Sequence, residues 1–244
     1  MSRATIRQIL LITDGCSNAG EDPIAMSALA KEDGLSVNVI GIMDEGDEDE
    51  RGMTEVEHIA RTGGGMSEIV YARQLSQTVQ MVTKKAMTQT IHGVVNREIQ
   101  QILGTKQEIE DLEPEKREEL TEVVDELGET ASLDILILVD TSASMKNKIP
   151  RVQEALLDLS ISLRSRSGDN HFCLYSFPGK RKQVEKILSW TPELDSLKGA
   201  FKKMSSSGVT PTGPAIMEAI KVYSKRMKKG STSDERADIE EAGM

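Results

Sequence analysis

The hydrophobic positions change period several times along the chain, and each change marks an element. Gln8 to Thr13 is a continuous aliphatic run closed by Asp14-Gly15, the pattern of a strand buried on both faces, as in parallel sheets. Asp22-Pro23 then supplies an N-cap and a first helical position. Ile24, Ala28 and Leu29 predict a short helix, and Gly34 stands where a terminating glycine belongs. Ser36 to Ile42 reads as the next strand, Thr54 to Arg61 as a helix, Gly63-Gly64-Gly65 as a turn and Glu68 to Ala72 as a third strand. This alternation predicts a parallel sheet covered by helices.

From Ser76 to Leu103 the apolar positions Val79, Val82, Ala86, Val94 and Ile102 recur near the helical period, predicting one long amphipathic helix weakened at Gly93. Thr105 and Glu108 have capping-box spacing, and Pro114 opens a helix carrying Leu120, Val123, Val124 and Leu127. Leu133 to Val139 is the strongest strand signal, and it ends in Asp140-Thr141-Ser142-Ala143-Ser144. A helix from Pro150 to Arg164 presents Val152, Leu156, Leu159 and Leu163 on one face. Asn170 to Phe177 and Gln183 to Leu188, separated by Pro178-Gly179, read as neighbouring antiparallel strands. Asp195 to Met204 reads as a helix, Ser205 to Gly213 as a loop, Pro214 to Lys228 as a helix, and the segment from Gly230 as a disordered polar tail.

At 244 residues, 38% hydrophobic and 29% charged, the chain has the composition of a globular protein able to bury a full core, which excludes collagen, disulfide scaffolds and wholesale disorder. Twelve Met against 3 Phe, 3 Tyr and 1 Trp make that core aliphatic. Two cysteines, Cys16 and Cys173, read as ordinary thiols of a reducing compartment. The apolar run at Ile9 to Ile12 is far shorter than a signal segment or a ~20-residue span, so the expected location is the cytoplasm, with no membrane partner. The net charge of -10 is concentrated in two stretches. Asp44 to Glu57 has eight acids against one Arg, and Gly104 to Leu133 has eleven acids against three bases. Basic clusters at Lys180-Arg181-Lys182 and around Lys225 to Lys229 are too small for a nucleic-acid face, so no nucleic acid is expected as partner.

Asp140, Ser142 and Ser144 alternate directly beyond the C-terminal end of a buried strand, where open α/β sheets place their ligands. One carboxylate and two hydroxyls at that spacing suit a hard divalent cation that keeps several waters. Alone, the same residues also make a strand-end turn capped by its own Asp and Ser side chains. His58, His92 and His171 lack zinc spacing, and Gly63-Gly64-Gly65 precedes a strand rather than the helix N-terminus a phosphate cradle requires. Ser205, Ser206, Ser207, Ser231 and Ser233 are candidate phosphorylation acceptors.

Asp-Thr-Ser-Ala-Ser-Met after an aliphatic strand resembles the metal-ion-dependent adhesion site (MIDAS) of the von Willebrand factor type A (vWA) family. That family combines Asp-x-Ser-x-Ser with a Thr from a Gly-x-Thr-Pro-x-Gly loop and an Asp from a Thr-Asp-Gly loop. Gly208-Val209-Thr210-Pro211-Thr212-Gly213 matches the second element, and Thr13-Asp14-Gly15 matches the third, at the wrong end of the chain. The resemblance therefore implies a circularly permuted, doubly wound, mostly parallel α/β sheet of Rossmann-like type. Residues 133–229 supply its first three strands, residues 1–103 its last three strands and last helix, 104–132 an acidic helical connector and 230–244 a flexible tail, in one structural domain. It also implies a metal set of Asp140, Ser142, Ser144, Thr210 and Asp14 around Mg²⁺ or Mn²⁺, with no catalytic residue. In the family the serines and threonine contact the metal, one or both aspartates act through water, and a partner's acidic side chain takes an open position.

The expected function is a non-enzymatic, metal-dependent protein-binding module. The resemblance implies an intracellular partner such as an ATPase or a regulatory complex. Two alternatives are a metal-dependent enzyme acting on phosphoryl groups, for which no P-loop, Asp-x-Asp or nearby His base is present, and a metal-free scaffold using the acidic connector. Lys146, close to the motif, reads as surface charge.

Overall fold

The aliphatic runs at Ile9 to Ile12 and Leu133 to Val139 lie side by side at the centre of a six-stranded sheet. The computed structural model describes residues 4–44, 50–104, 106–195, 197 and 209–241. Its elements are β1 (Thr5–Thr13), α1 (Pro23–Glu32), β2 (Ser36–Met43), α2 (Glu50–Thr62), β3 (Gly64–Tyr71), α3 (Leu75–Leu103), α4 (Pro114–Thr130), β4 (Ser132–Asp140), α5 (Ile149–Leu163), β5 (Asn170–Phe177), β6 (Glu185–Thr191) and α6 (Thr212–Glu241). The strand order is β3-β2-β1-β4-β5-β6, parallel throughout except for β6, which pairs antiparallel with β5. The predicted mixed α/β, mostly parallel sheet is thus what the chain forms.

Successive residues of the central strands face opposite sides, and helices cover both. Leu10, Ile12, Ile135, Ile137 and Val139 pack with α3, α4 and α5, including Val79, Val82 and Leu156. Ile9, Leu11, Leu136 and Leu138 pack on the other side with α1, α2 and α6, including Ile59, Ile216 and Tyr223. Val152, Leu156, Leu159 and Leu163 are completely buried, as the period of α5 predicts. Among the described residues no helix is long and apolar enough to cross a membrane.

Several local expectations are corrected. The Gly63 to Gly65 turn is shorter than predicted, because β3 already begins at Gly64. Gly65 lies so close to β2 that a Cβ there would meet the Val37 carbonyl oxygen at 2.2 Å, and the neighbouring Met66 N–H donates to the Asn38 side chain at 3.0 Å. The buried face of α1 is Pro23, Ser27 and Ala30, whereas Leu29 is exposed. In α3, Val94 and Ile102 are also exposed, Ile102 at 79%. The apolar period there runs on past the surface available to cover it. The expected capping box is shifted by three residues: Glu108 is itself the cap, and its N–H donates to Asp111 at 3.1 Å. Its expected partner, Thr105, lies outside the described residues, as do most of the predicted helix Asp195 to Met204 and residues 205–208 of the predicted loop Ser205 to Gly213, whose last two residues open α6.

β6 is displaced to Glu185–Thr191, and α6 spans Thr212–Glu241, starting before and ending after the predicted helix Pro214 to Lys228. The sequence past Gly230 contains no proline, the residue that would break helical backbone bonding. The acidic connector is more than a tether. The Arg166 guanidinium donates to the carbonyls of Gly128 (2.8 Å) and Ala131 (2.6 Å), holding the end of α4 against the turn between α5 and β5.

Candidate metal centre

The site follows from strand register. Ile12 pairs with Val139 across the β1–β4 ladder, so the residues next along, Thr13 and Asp140, leave the sheet side by side. The Thr13 hydroxyl donates to Asp140 Oδ2 at 2.7 Å, and the Ser142 N–H donates to Asp140 Oδ1 at 2.8 Å. Asp140 is completely buried and Thr13 nearly so. The Thr141 N–H donates to the Phe177 carbonyl at 2.7 Å, which ties the loop to the end of β5.

Four of the five expected ligands come together. Ser142 Oγ and Ser144 Oγ are 3.1 Å apart, and the Ser144 hydroxyl donates to Asp14 Oδ1 at 2.9 Å, closing a contact across 130 positions of sequence. Thr210 is held to the same side by its backbone. Its N–H donates to Asn18 Oδ1 at 2.7 Å, and its carbonyl accepts from the Asn18 N–H at 3.2 Å and the Ser17 hydroxyl at 3.3 Å. Close packing makes this possible: a Cβ on Gly213 would meet the Glu21 carbonyl oxygen at 1.8 Å, so only glycine lets the start of α6 approach the Asp14 loop.

Burial pushes the Asp140 carboxyl from 3.8 up to about 6, against the hydrogen bonds from Ser142 and Thr13, and the charge of Asp14 adds to the rise. Lys148, 5% exposed, places its Nζ 2.6 Å from Asp14 Oδ2 and 2.9 Å from Asp44 Oδ2. Burial alone would lower its pKa, but Asp14 and Asp44 outweigh burial and hold it above its usual value. A pocket lined by Asp14, Gly15, Ile42, Met53, Val56 and Ile69, among others, opens beside this pair.

Thr13 and Lys148 are the members that sequence reading missed. Thr13 carried the signal of standing next to Asp14 at a strand end. The signal for Lys148 was a cation just before a helix N-terminus, where the macrodipole disfavours it. The donor set suits a hard cation: two carboxylates and neighbouring hydroxyls, all oxygen, with one carboxylate short of positive charge. It is not a cage of acids, and among the described residues no group of three or more His, Cys, Asp or Glu gathers to hold a metal ion.

The molecule is thus a three-layer α/β protein with an oxygen-rich cluster at the switch point of its sheet. The chain is 60% identical to "Uncharacterized protein YabS" of Bacillus subtilis (strain 168) over 245 residues, covering 100% of both chains, and it belongs to that protein's family. A crystal structure of an uncharacterised protein from Alicyclobacillus acidocaldarius superposes with a TM-score of 0.85 at 40% identity, covering 92% of this chain and 96% of that one. Proximal thread matrix protein 1 of the mussel byssus, with a zinc-occupied MIDAS motif, aligns at a TM-score of 0.25 and 18% identity over 84% of this chain and 43% of that one. A likeness that slight carries no argument. No family model matches the chain.

Proposed function

We propose that this protein is a non-enzymatic, divalent-metal-dependent protein-interaction module, a circularly permuted vWA domain acting in the cytoplasm. Asp140, Ser142, Ser144, Thr210 and Asp14 would hold Mg²⁺ or Mn²⁺. When bound, such an ion offers an open coordination position to an acidic side chain of a partner protein. The chain's own residues prepare for this in distinct ways. Thr13 and the Ser142 N–H fix the Asp140 carboxylate, the serine hydroxyls supply oxygen without adding negative charge, and Asn18 holds the Thr210 segment in place.

The observation that carries the reading is the hydrogen bond from Ser144 to Asp14, which joins the two halves of the motif from distant parts of the chain. Strand order supports the permutation: read in the sequence β4-β5-β6-β1-β2-β3, the first and fourth strands are central neighbours, as the vWA resemblance requires. Thermal unfolding of wild type, Asp14→Ala and Asp140→Ala with increasing Mg²⁺ or Mn²⁺ tests the reading. Wild type is expected to gain about 2.7 kcal/mol at ~100 times its Kd, and both folded variants to lose that gain. A wild type that does not respond to either ion removes the proposal.

One observation favours a second reading. The Lys148 ammonium already satisfies Asp14 Oδ2, so the cluster is self-neutralising to a degree that also suits a metal-free scaffold. Partner binding that survives a chelator would select that reading.

A further inference from the structure

Lys148 bears on the metal centre more directly than its place in the sequence suggests. Its side chain is 6% exposed, and its ammonium bridges two carboxylates of opposite accessibility, Asp14 at 1% and Asp44 at 65%. Asp14 is fully engaged, with one oxygen accepting from Ser144 and the other from Lys148. The lysine sits immediately before α5, where the helix dipole repels a cation, so these carboxylates supply the attraction that keeps it there. Burying an ammonium beside an intended cation position works against the cation. It also changes what the loaded site presents. Asp14, Asp44, Asp140 and Lys148 together carry two net negative charges when ionised, and a divalent ion brings that to zero. Without the lysine the same loaded cluster keeps one net negative charge, which repels a carboxylate.

We propose that Lys148 is the built-in counter-cation of this site: it weakens the hold on the divalent ion and cancels the negative charge that would otherwise remain on the loaded site, admitting an anionic carboxylate. The inference rests on the metal-dependent reading above. It adds a residue outside the five expected ligands and assigns it two effects of opposite sign, weaker metal binding and stronger carboxylate binding.

Calorimetric titration at pH 7.5 with Mn²⁺, then with acetate on the Mn²⁺-loaded protein, tests both effects in wild type, Lys148→Met and Lys148→Arg. The Met variant is expected to bind Mn²⁺ at least about tenfold more tightly, and once loaded to bind acetate at least about tenfold more weakly. The Arg variant, which keeps the charge, is expected to stay within about threefold of wild type for Mn²⁺. Equal Mn²⁺ affinity in wild type and Lys148→Met overturns the inference while leaving the metal centre standing. Mn²⁺ uptake by the Met variant alone upholds the counter-cation and removes the metal-dependent reading for the wild type. Uptake by neither removes both. Should Lys148→Met fail to fold, the wild type decides through the ¹⁵N resonance of the Lys148 ammonium. It is expected to shift on saturation with Mg²⁺, and a resonance that stays fixed while Mg²⁺ saturates the protein overturns the inference.

Discussion

Replacing Asp140 by Asn removes a buried, desolvated charge while keeping the shape of the side chain. In the metal-free protein, burial raises the Asp140 carboxyl from 3.8 to about 6. The folded state therefore holds more protons at this group than the unfolded state between about pH 4 and pH 6, and the group's contribution to stability falls as pH rises through that window. Two pKa units correspond to about 3 kcal/mol, so above pH 7 the ionised carboxylate costs the folded chain roughly that much. Asn keeps the oxygen that accepts from the Ser142 N–H, but it presents an amide to Thr13, whose hydroxyl then donates to the Gly15 carbonyl, 3.3 Å away. That exchange costs about 1 kcal/mol. With chelator present, Asp140→Asn is expected to be about 2 kcal/mol more stable than wild type at pH 8 and about 1 kcal/mol less stable at pH 4. Urea unfolding at a series of pH values reads the difference directly. A gap that stays constant from pH 4 to pH 8 would refute the reasoning, since a desolvated carboxylate must produce a slope. Saturating Mg²⁺ should reverse the order at pH 8, stabilising wild type alone.

Tyr223→Phe probes the seam between β1 and β4. The Tyr223 hydroxyl accepts from the Leu136 N–H at 3.0 Å and donates toward the carbonyls of Gln8 (2.7 Å) and Asp134 (2.8 Å), all buried. Its removal leaves those groups short of a partner and is expected to cost about 1–3 kcal/mol in chemical denaturation. Gly213→Ala pushes a methyl into the Glu21 carbonyl and should separate the Thr210 and Asn18 segments. The metal-dependent rise in Tm is expected to shrink more than the metal-free Tm itself, and a full metal response in this variant would contradict the packing account. Burial pushes the Cys173 thiol up to about 11, so in the folded protein it should resist alkylation at pH 8 and react only after denaturation, as mass spectrometry of iodoacetamide-treated samples would show.

The aliphatic runs at Ile9 to Ile12 and Leu133 to Val139, and the single buried face of α5, were legible because their periods are long and uninterrupted. Asp140, Ser142 and Ser144 were equally legible, since strand, turn and ligand spacing coincide within five residues. Where the helices lose cover was not legible. Ile102 continues the apolar period of α3 yet faces solvent, because periodicity records which side of a helix is apolar and not how far its neighbour extends.

Local sequence thus determined the parallel α/β class and one arm of the site, because backbone propensity and hydrophobic period act within a few residues. The motifs around Asp14 and Thr210 named the other arm, but its meeting with the first was a matter of tertiary structure. The β1–β4 register places Thr13 beside Asp140, the close approach at Gly213 holds Thr210 against Asn18, and the packing of the loop before α5 sets the buried Lys148 against Asp14. Each depends on distance and dielectric between segments more than 100 residues apart in the chain, and neither quantity is written in any local pattern.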